Sequence, residues 1–308
     1  MILVTGASGL LGSKVASQAL EMNREVAGVY CSHAWRVPGA DAHKLDLRDF
    51  VATRRLVERL RPASIIHCAA ATNVDWCEDD PAEADRLNVQ VPVFLAQLAA
   101  ELDAQFVQVS TDSVFDGERG NYSELDIPAP LNVYARTKLL AEQEVQRVHR
   151  SSLIARVTFY GWNVQNKQSL AEWVLAGLSA GKNVPGFTDV FFCPILANDL
   201  AEILLSMMSR HLHGIYNVVG AERLSKYEFA RRLGAMFGLD VGQVVPVSIK
   251  DAALRAPRPR DTSLTTKKIA RELAREMPDV ESGLRKFREL RERQGVGIPQ
   301  SSLAGAER

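Results

Sequence analysis

The chain has 308 residues, and its 37 Lys plus Arg balance 37 Asp plus Glu, for a formal net charge of zero. Balanced charge argues against a general polyanion binder, and so against nucleic acid. No apolar run reaches the roughly 18 to 20 residues that span a bilayer, and the opening MILVTGASG lacks the basic segment and cleavage site of a signal peptide.

Ile2 to Thr5 is a short apolar strand. Leu10 to Leu20 places Leu11, Val15 and Ala19 on one helical stripe. Glu25 to Tyr30 is the next strand, and Val51 to Leu60 a helix that Pro62 brings to an end. Ser64 to Ala70 is strand-like, Val89 to Leu102 helical, and Gln105 to Val109 a strand. Val133 to His149 is a helix and Leu153 to Val157 a strand. Alternating strands and helices imply βαβ units, and almost wholly apolar strands suit a parallel sheet covered on both faces. Right-handed crossovers make that sheet doubly wound and Rossmann-like, an α/β fold.

After about residue 160 the rhythm changes. A helix surrounds Trp173, Leu196 to Met208 and Ser225 to Phe237 read as helices, and Gly214 to Val219 as a strand. The expected division is a dinucleotide-binding part over 1–160 with returns near 196–220, a smaller substrate-binding cap over 161–295, and a flexible tail over 296–308. Residues 255 to 293 carry twelve basic and seven acidic side chains and read as a solvated helical surface. Cys31, Cys68, Cys77 and Cys193 are few and scattered, which reads as reduced thiols of a cytoplasmic protein. His211 and His213 have no clustered ligands beside them, so no metal is expected.

Gly6, Gly9 and Gly12 stand in GASGLLG, between a strand and a helix. Gly6 permits the tight turn, Gly9 a close approach of backbone to a pyrophosphate, and Gly12 close packing of helix on sheet. The helix N-terminus offers free N–H groups to the phosphates. Ser8, Leu10 and Leu11 complete this candidate cofactor turn. A carboxylate closing the second strand would favour NAD. Here the strand ends in Tyr30-Cys31-Ser32-His33, with Arg36 nearby. Ser32, His33 and Arg36 suit a 2′-phosphate, so NADPH is favoured and NADH is the alternative.

Tyr134 and Lys138 form YARTK on a helix, and i to i+4 spacing turns both to one side. A ketone that takes a hydride must also take a proton, and a tyrosine hydroxyl can deliver it. A nearby ammonium is expected to lower the tyrosine pKa from its ordinary value of about 10. Thr111, at the end of the strand before this helix, is placed to polarise the carbonyl.

The GxxGxxG spacing resembles the short-chain dehydrogenase/reductase superfamily. That resemblance implies adenine contact at Asp46 and Leu47, and cofactor ribose beside Cys68, Ala69 and Ala70. STDSVFDG at 110 to 117, YSELDIPAPLNVYARTK at 122 to 138, CAAATNVDWCEDDPAEADRLN at 68 to 88 and RPRDTSL at 258 to 264 resemble the dTDP-4-dehydrorhamnose reductase family. The resemblance implies reduction of a 4-keto-6-deoxy sugar carried on a nucleotide, with Thr111, Tyr134 and Lys138 as the triad and Asp112 near the sugar. Arg258 or Arg260 suits the nucleotide diphosphate. Trp76, Trp162 and Trp173 read as packing residues with a pocket role as the alternative.

Ser113 and Phe159 stand where the family more often has tyrosine and tryptophan against the sugar, and Phe191-Phe192-Cys193-Pro194 replaces a segment of small residues. These differences bear on which sugar is bound. The regulatory subunit of animal methionine adenosyltransferase is also similar to these reductases, which makes an NADP-binding partner subunit the rival reading. A nucleotide-sugar epimerase or dehydratase is a third, and Ser113 after Asp112 points away from dehydration. The superfamily habit is a homodimer.

Overall fold

The computed structural model describes residues 1–293 apart from 166 and 253, so the tail expected over 296–308 lies outside the described residues. The first half runs β1 (Ile2–Thr5), α1 (Leu10–Glu21), β2 (Val26–Tyr30), β3 (Asp41–Lys44), α2 (Phe50–Leu60), β4 (Ser64–His67), α3 (Val74–Asp79), α4 (Pro81–Asp85), α5 (Val91–Glu101), β5 (Gln105–Thr111), α6 (Val133–Val148) and β6 (Leu153–Val157). The second half runs β7 (Phe159–Tyr160), α7 (Leu170–Ser179), β8 (Val184–Phe187), β9 (Phe191–Phe192), β10 (Ile195–Leu196), α8 (Ala197–Ser209), β11 (Gly214–Asn217), β12 (Leu224–Ser225), α9 (Lys226–Met236), β13 (Val244–Val247), α10 (Lys267–Leu273) and α11 (Val280–Arg293).

Seven strands form one sheet in the order β11-β6-β5-β4-β1-β2-β3, and every pairing is parallel. Val4 and Ile66 face α1 and α8 across a core that includes Val15 and Leu204. Leu3, Ile65 and Phe106 face the other way, onto Leu56, Leu95 and Val145 of α2, α5 and α6. This is the doubly wound, Rossmann-like sheet expected from the alternation. From β1 the chain builds outward through β2 and β3, then returns to place β4 on the other side. That reversal opens a crevice at the C-terminal ends of β1 and β4, the place where such sheets bind ligands.

A second core gathers Trp162, Leu175, Phe192, Phe229 and Phe287 from α7, α9, α11 and the short strands between them. Short pairings of β7 with β10, β9 with β12 and β8 with β13 tie these elements together.

Three local expectations change. The strand over Ser64 to Ala70 stops at His67, because the chain beyond it runs against the glycine turn, where a Cβ on Gly6 would stand 2.7 Å from the Ala69 nitrogen. The helix over Val89 to Leu102 begins earlier, as a π-helical turn at Arg86–Gln90 that leads into α5. Pro92 has no N–H for the Asn88 carbonyl, which accounts for a widened turn just before it. The basic segment over 255 to 293 is solvated on one side only: α11 buries Val280, Leu284 and Phe287 in the second core.

Candidate active site

The glycine turn is built from backbone contact. Gly6 adopts a φ of +64°, open to glycine at little cost. The Gly9 N–H donates to the Gly6 carbonyl at 2.8 Å, and a Cβ on Gly12 would stand 2.3 Å from that same oxygen. The turn therefore closes only with glycine, and it aims the N-terminus of α1 into the crevice. Leu11 anchors this helix in the core. Leu10 lies under Gly161, and Gln165 Nε2 donates to the Ser8 carbonyl at 2.7 Å and to its hydroxyl at 3.3 Å. A loop from the second half of the chain thus closes over the turn.

Beside it lies a cavity of about 570 Å³, lined by Ser32, His33 and Arg36 together with Ser8, Ser13, Lys14, Ser17 and Gln165. Among the described residues no carboxylate lines it. Trp35 forms one wall and packs on Gly28, where a Cβ would meet the ring at 2.2 Å. Lys14, half-buried in the cavity wall, is a residue that sequence reading missed; its only signal is a place two residues past Gly12. Burial lowers its pKa and Glu172 opposes that fall. Among the described residues its ammonium has no hydrogen bond or ion pair. Asp46 and Leu47 follow β3 as expected. The Asp46 carboxylate accepts from Arg48 Nε at 2.9 and 3.0 Å, which holds it below the usual carboxylate range, and Leu47 is buried under the sheet. Cys68 and Ala69 pass beside Gly6, and Ala70 follows them.

The expected triad converges at the end of β5. Asn132 caps α6 by accepting from the Ala135 N–H, and its Nδ2 donates to the Pro257 carbonyl at 2.9 Å. Two residues past this cap, in the first turn of α6, Tyr134 meets the Thr111 hydroxyl. Lys138, 2% exposed, donates to the Val109 carbonyl at 2.7 Å. Asn88, in the π-helical turn, braces the same helix: it accepts from the Ala71 N–H at 2.9 Å and donates to the Thr137 hydroxyl at 3.2 Å.

The electrostatics correct one expectation. Burial pushes the Tyr134 hydroxyl up to about 12; the Thr111 hydrogen bond opposes this, and Asp112 and Cys77 add to it. The expected net lowering beside Lys138 does not result: desolvation dominates, and the lysine's hydrogen bond goes to the Val109 carbonyl. Burial brings Lys138 down to about 8, against the raising influence of Glu142. The pair holds a protonated phenol beside an ammonium that is charged at neutral pH.

Asp112 is buried and its carboxyl pKa is raised by that burial, although the hydroxyls of Thr262, at 2.6 Å, Thr111 and Ser113 all stabilise its charge. Phe159 lies half-buried on β7 against the first core. Arg258 and Arg260 reach this region already paired: Arg258 with Asp75 at 2.9 Å and Arg260 with Asp189 at 3.6 Å. Lys226, the first residue of α9, bears on Asp112 and on Arg258, and among the described residues its ammonium has no hydrogen bond or ion pair. Sequence reading missed it, since nothing in LSKYEFA marks a ligand. Trp162 stacks on Phe287 with centroids 4.0 Å apart and donates to the Phe287 carbonyl at 2.8 Å; Trp173 packs on the same core. Both serve packing. Trp76 stands half-buried on α3. Among the described residues no group of three His, Cys, Asp or Glu could hold a metal ion, and no helix is long and apolar enough to cross a membrane.

Comparison with known proteins places this geometry. A model of the RmlD substrate binding domain matches residues 1–291. The chain is 33% identical over 287 residues to a probable low-salt glycan biosynthesis reductase, Agl14, of Haloferax volcanii, covering 91% of this chain and 95% of that one. It is 32% identical to the methionine adenosyltransferase 2 subunit beta of Xenopus laevis, over 87% of this chain and 80% of that one. The crystal structure of dTDP-4-dehydrorhamnose reductase from Bacillus anthracis in complex with NADP superposes with a TM-score of 0.83 at 26% identity, covering 94% of this chain and 98% of that one. A parallel sheet with a glycine turn at its switch point, in this company, is the fold of an extended short-chain dehydrogenase/reductase. Within that class the chain belongs to the RmlD substrate-binding-domain family.

Proposed function

We propose that this protein reduces the 4-keto group of a nucleotide-linked 6-deoxy sugar, with NADPH as the preferred reductant. The observation that carries the reading is the meeting of Thr111, Tyr134 and Lys138 at the end of β5, next to the glycine turn that suits a dinucleotide. On this reading residues 1–160, with the return over 196–220, hold the cofactor, and residues 161–295 cover the sugar.

The cofactor supplies a hydride when bound. The α1 N-terminus and the Gly6 turn would take its pyrophosphate. The cavity of Ser32, His33, Arg36 and Lys14 fits a 2′-phosphate, because it offers cations and hydroxyls and, among the described residues, no carboxylate. At the sugar, the Thr111 hydroxyl orients the carbonyl oxygen. Tyr134 then donates its proton to that oxygen as negative charge develops there, a general-acid role worth roughly 10² to 10⁴ in rate. Its raised pKa keeps it protonated until then. The Lys138 ammonium stabilises the phenolate left behind. Asp112, with Thr262 and Ser113 on its carboxylate, borders the sugar. Lys226, whose ammonium has no hydrogen bond or ion pair among the described residues, joins Arg258 and Arg260 as a cation to meet the substrate diphosphate.

The test is incubation with a panel of nucleotide-linked keto sugars, with NADPH or NADH, and identification of the sugar product. Reduction at C4 that consumes one cofactor per sugar supports the reading; tightly held cofactor with an epimerised or dehydrated product overturns it. The 32% identity to the Xenopus subunit sustains a second reading, a cofactor-binding regulatory partner. A stable complex with a methionine adenosyltransferase, with no sugar turned over, would favour it.

A further inference from the structure

Glu142 stands one helical turn beyond Lys138 on α6. Tyr134, Lys138 and Glu142 follow one another at intervals of four residues and share a stripe of the helix. The Glu142 carboxylate is 1% exposed and clamped from two strands. The Ser110 hydroxyl donates to Oε1 at 2.5 Å. Arg156, on β6 and 2% exposed, donates from Nε to both oxygens at 3.1 Å and from a terminal nitrogen to Oε2 at 2.7 Å. Ser110 and Arg156 are partners in the sheet register, and the guanidinium lies over the Phe115 ring at 5.1 Å.

A buried ion pair is a weak source of stability, since apolar residues of the same volume often serve as well or better. The place of this one supplies another reason for it. Ser110 lies between Val109, whose carbonyl accepts the Lys138 ammonium, and Thr111, whose hydroxyl meets Tyr134. Three consecutive residues of β5 therefore fix the lysine, the glutamate and the phenol relative to one another. His67 and Cys68, from the end of β4, also bear on Lys138. Burial drives His67 down to about 3 and Cys68 up to about 12, so both are neutral near pH 7, as is Tyr134. Glu142 is the anion among these neighbours, and it opposes the desolvation of the lysine.

We propose that Glu142 is a positioning residue, a clamped counter-charge that keeps Lys138 an ammonium beside Tyr134, with Ser110 and Arg156 holding its carboxylate in place. The inference rests on Tyr134 and Lys138 being the proton-handling pair, but its test needs no turnover. The full chain is labelled with [ε-¹³C]lysine, the Lys138 signal is assigned with Lys138→Met, and its shift is followed against pH. The wild-type midpoint is expected near 8. Glu142→Gln alone strands a buried guanidinium, so Glu142→Gln with Arg156→Met is measured beside it. In the double variant the midpoint should fall by about one pH unit or more, because Glu142 bears on the lysine and the guanidinium removed with it does not. Ser110→Ala keeps both charges and loosens only the clamp; the midpoint should fall by a smaller but resolvable amount, and this variant decides if the double variant does not fold. A midpoint within about 0.2 pH unit of wild type in the folded variant overturns the proposal. With a keto-sugar substrate, the alkaline limb of the reduction profile should move down with the midpoint, whereas mere destabilisation would lower the rate at every pH and leave the limb in place. Absence of turnover with every keto sugar would defeat the reductase reading while leaving the titration to decide the role of Glu142.

Discussion

At the cofactor end of the cleft, backbone does the shaping. Gly6, Gly9 and Gly12 close on one another, and the Ala69 backbone fills the space where a Gly6 side chain would be. At the end proposed for the sugar, side chains are held by other side chains: Arg258 by Asp75, Arg260 by Asp189, Asp112 by Thr262. The first end tolerates almost no change of shape, and its anion-binding groups are amides that every sequence possesses. The second end can be altered by exchanging one pair for another. The chain can therefore keep its glycine turn unchanged while the side-chain pairs beside it are exchanged.

Predictions follow that contrast, from the largest effect down. Between the two ends, Tyr134→Phe should lower the reduction rate by roughly 10² to 10⁴ with the fold intact, as removal of a general acid does; stopped-flow oxidation of NADPH reads it. At the cofactor end, Gly12→Ala would press a Cβ to 2.3 Å from the Gly6 carbonyl. It should destabilise the protein by about 1–3 kcal/mol and weaken cofactor binding sharply, measurable by denaturation and fluorescence titration. At the sugar end, Lys226→Gln should raise KM for the nucleotide sugar about tenfold with kcat little changed, because a charge-assisted hydrogen bond to phosphate is lost. A fall in kcat alone would place Lys226 elsewhere in the mechanism. Arg36→Ala should narrow the preference for NADPH over NADH by roughly tenfold and leave NADH kinetics unchanged, since a single exposed phosphate contact is removed.

The pH profile gives the smallest and most graded effect. Burial lowers Lys138 to about 8, so the ammonium is present below that pH and lost as pH rises through it. Tyr134, raised to about 12, keeps its proton throughout this range. Reduction should therefore be level near neutrality and decline above a pH of about 8.

The glycine turn and the Tyr134–Lys138 pair were readable in the sequence because each lies within a few consecutive residues and uses a fixed backbone period. The sheet was readable for the same reason except at its edge, where β3, Asp41–Lys44, has no apolar run to mark it. What escaped is nonlocal. Arg258 meets Asp75 across 183 positions and Thr262 meets Asp112 across 150, distances at which spacing carries no signal. Lys14 and Lys226 matter because nearby carboxylates are committed elsewhere, which only the folded chain reveals. The sense of the Tyr134 shift also escaped: the ammonium four residues away was visible, whereas the burial that outweighs it was not. The apolar side of α11 was hidden beneath a surplus of basic residues.

The central claim is reduction of a nucleotide-linked keto sugar with Tyr134 as the acid. Its most direct test is a progress curve of NADPH oxidation with a dTDP-linked 4-keto-6-deoxy sugar, run on the wild-type protein beside Tyr134→Phe. The account predicts one NADPH oxidised per sugar by the wild type and near-silence from the variant. Equal rates from the two proteins, or no oxidation by a wild type that binds the cofactor, would contradict it.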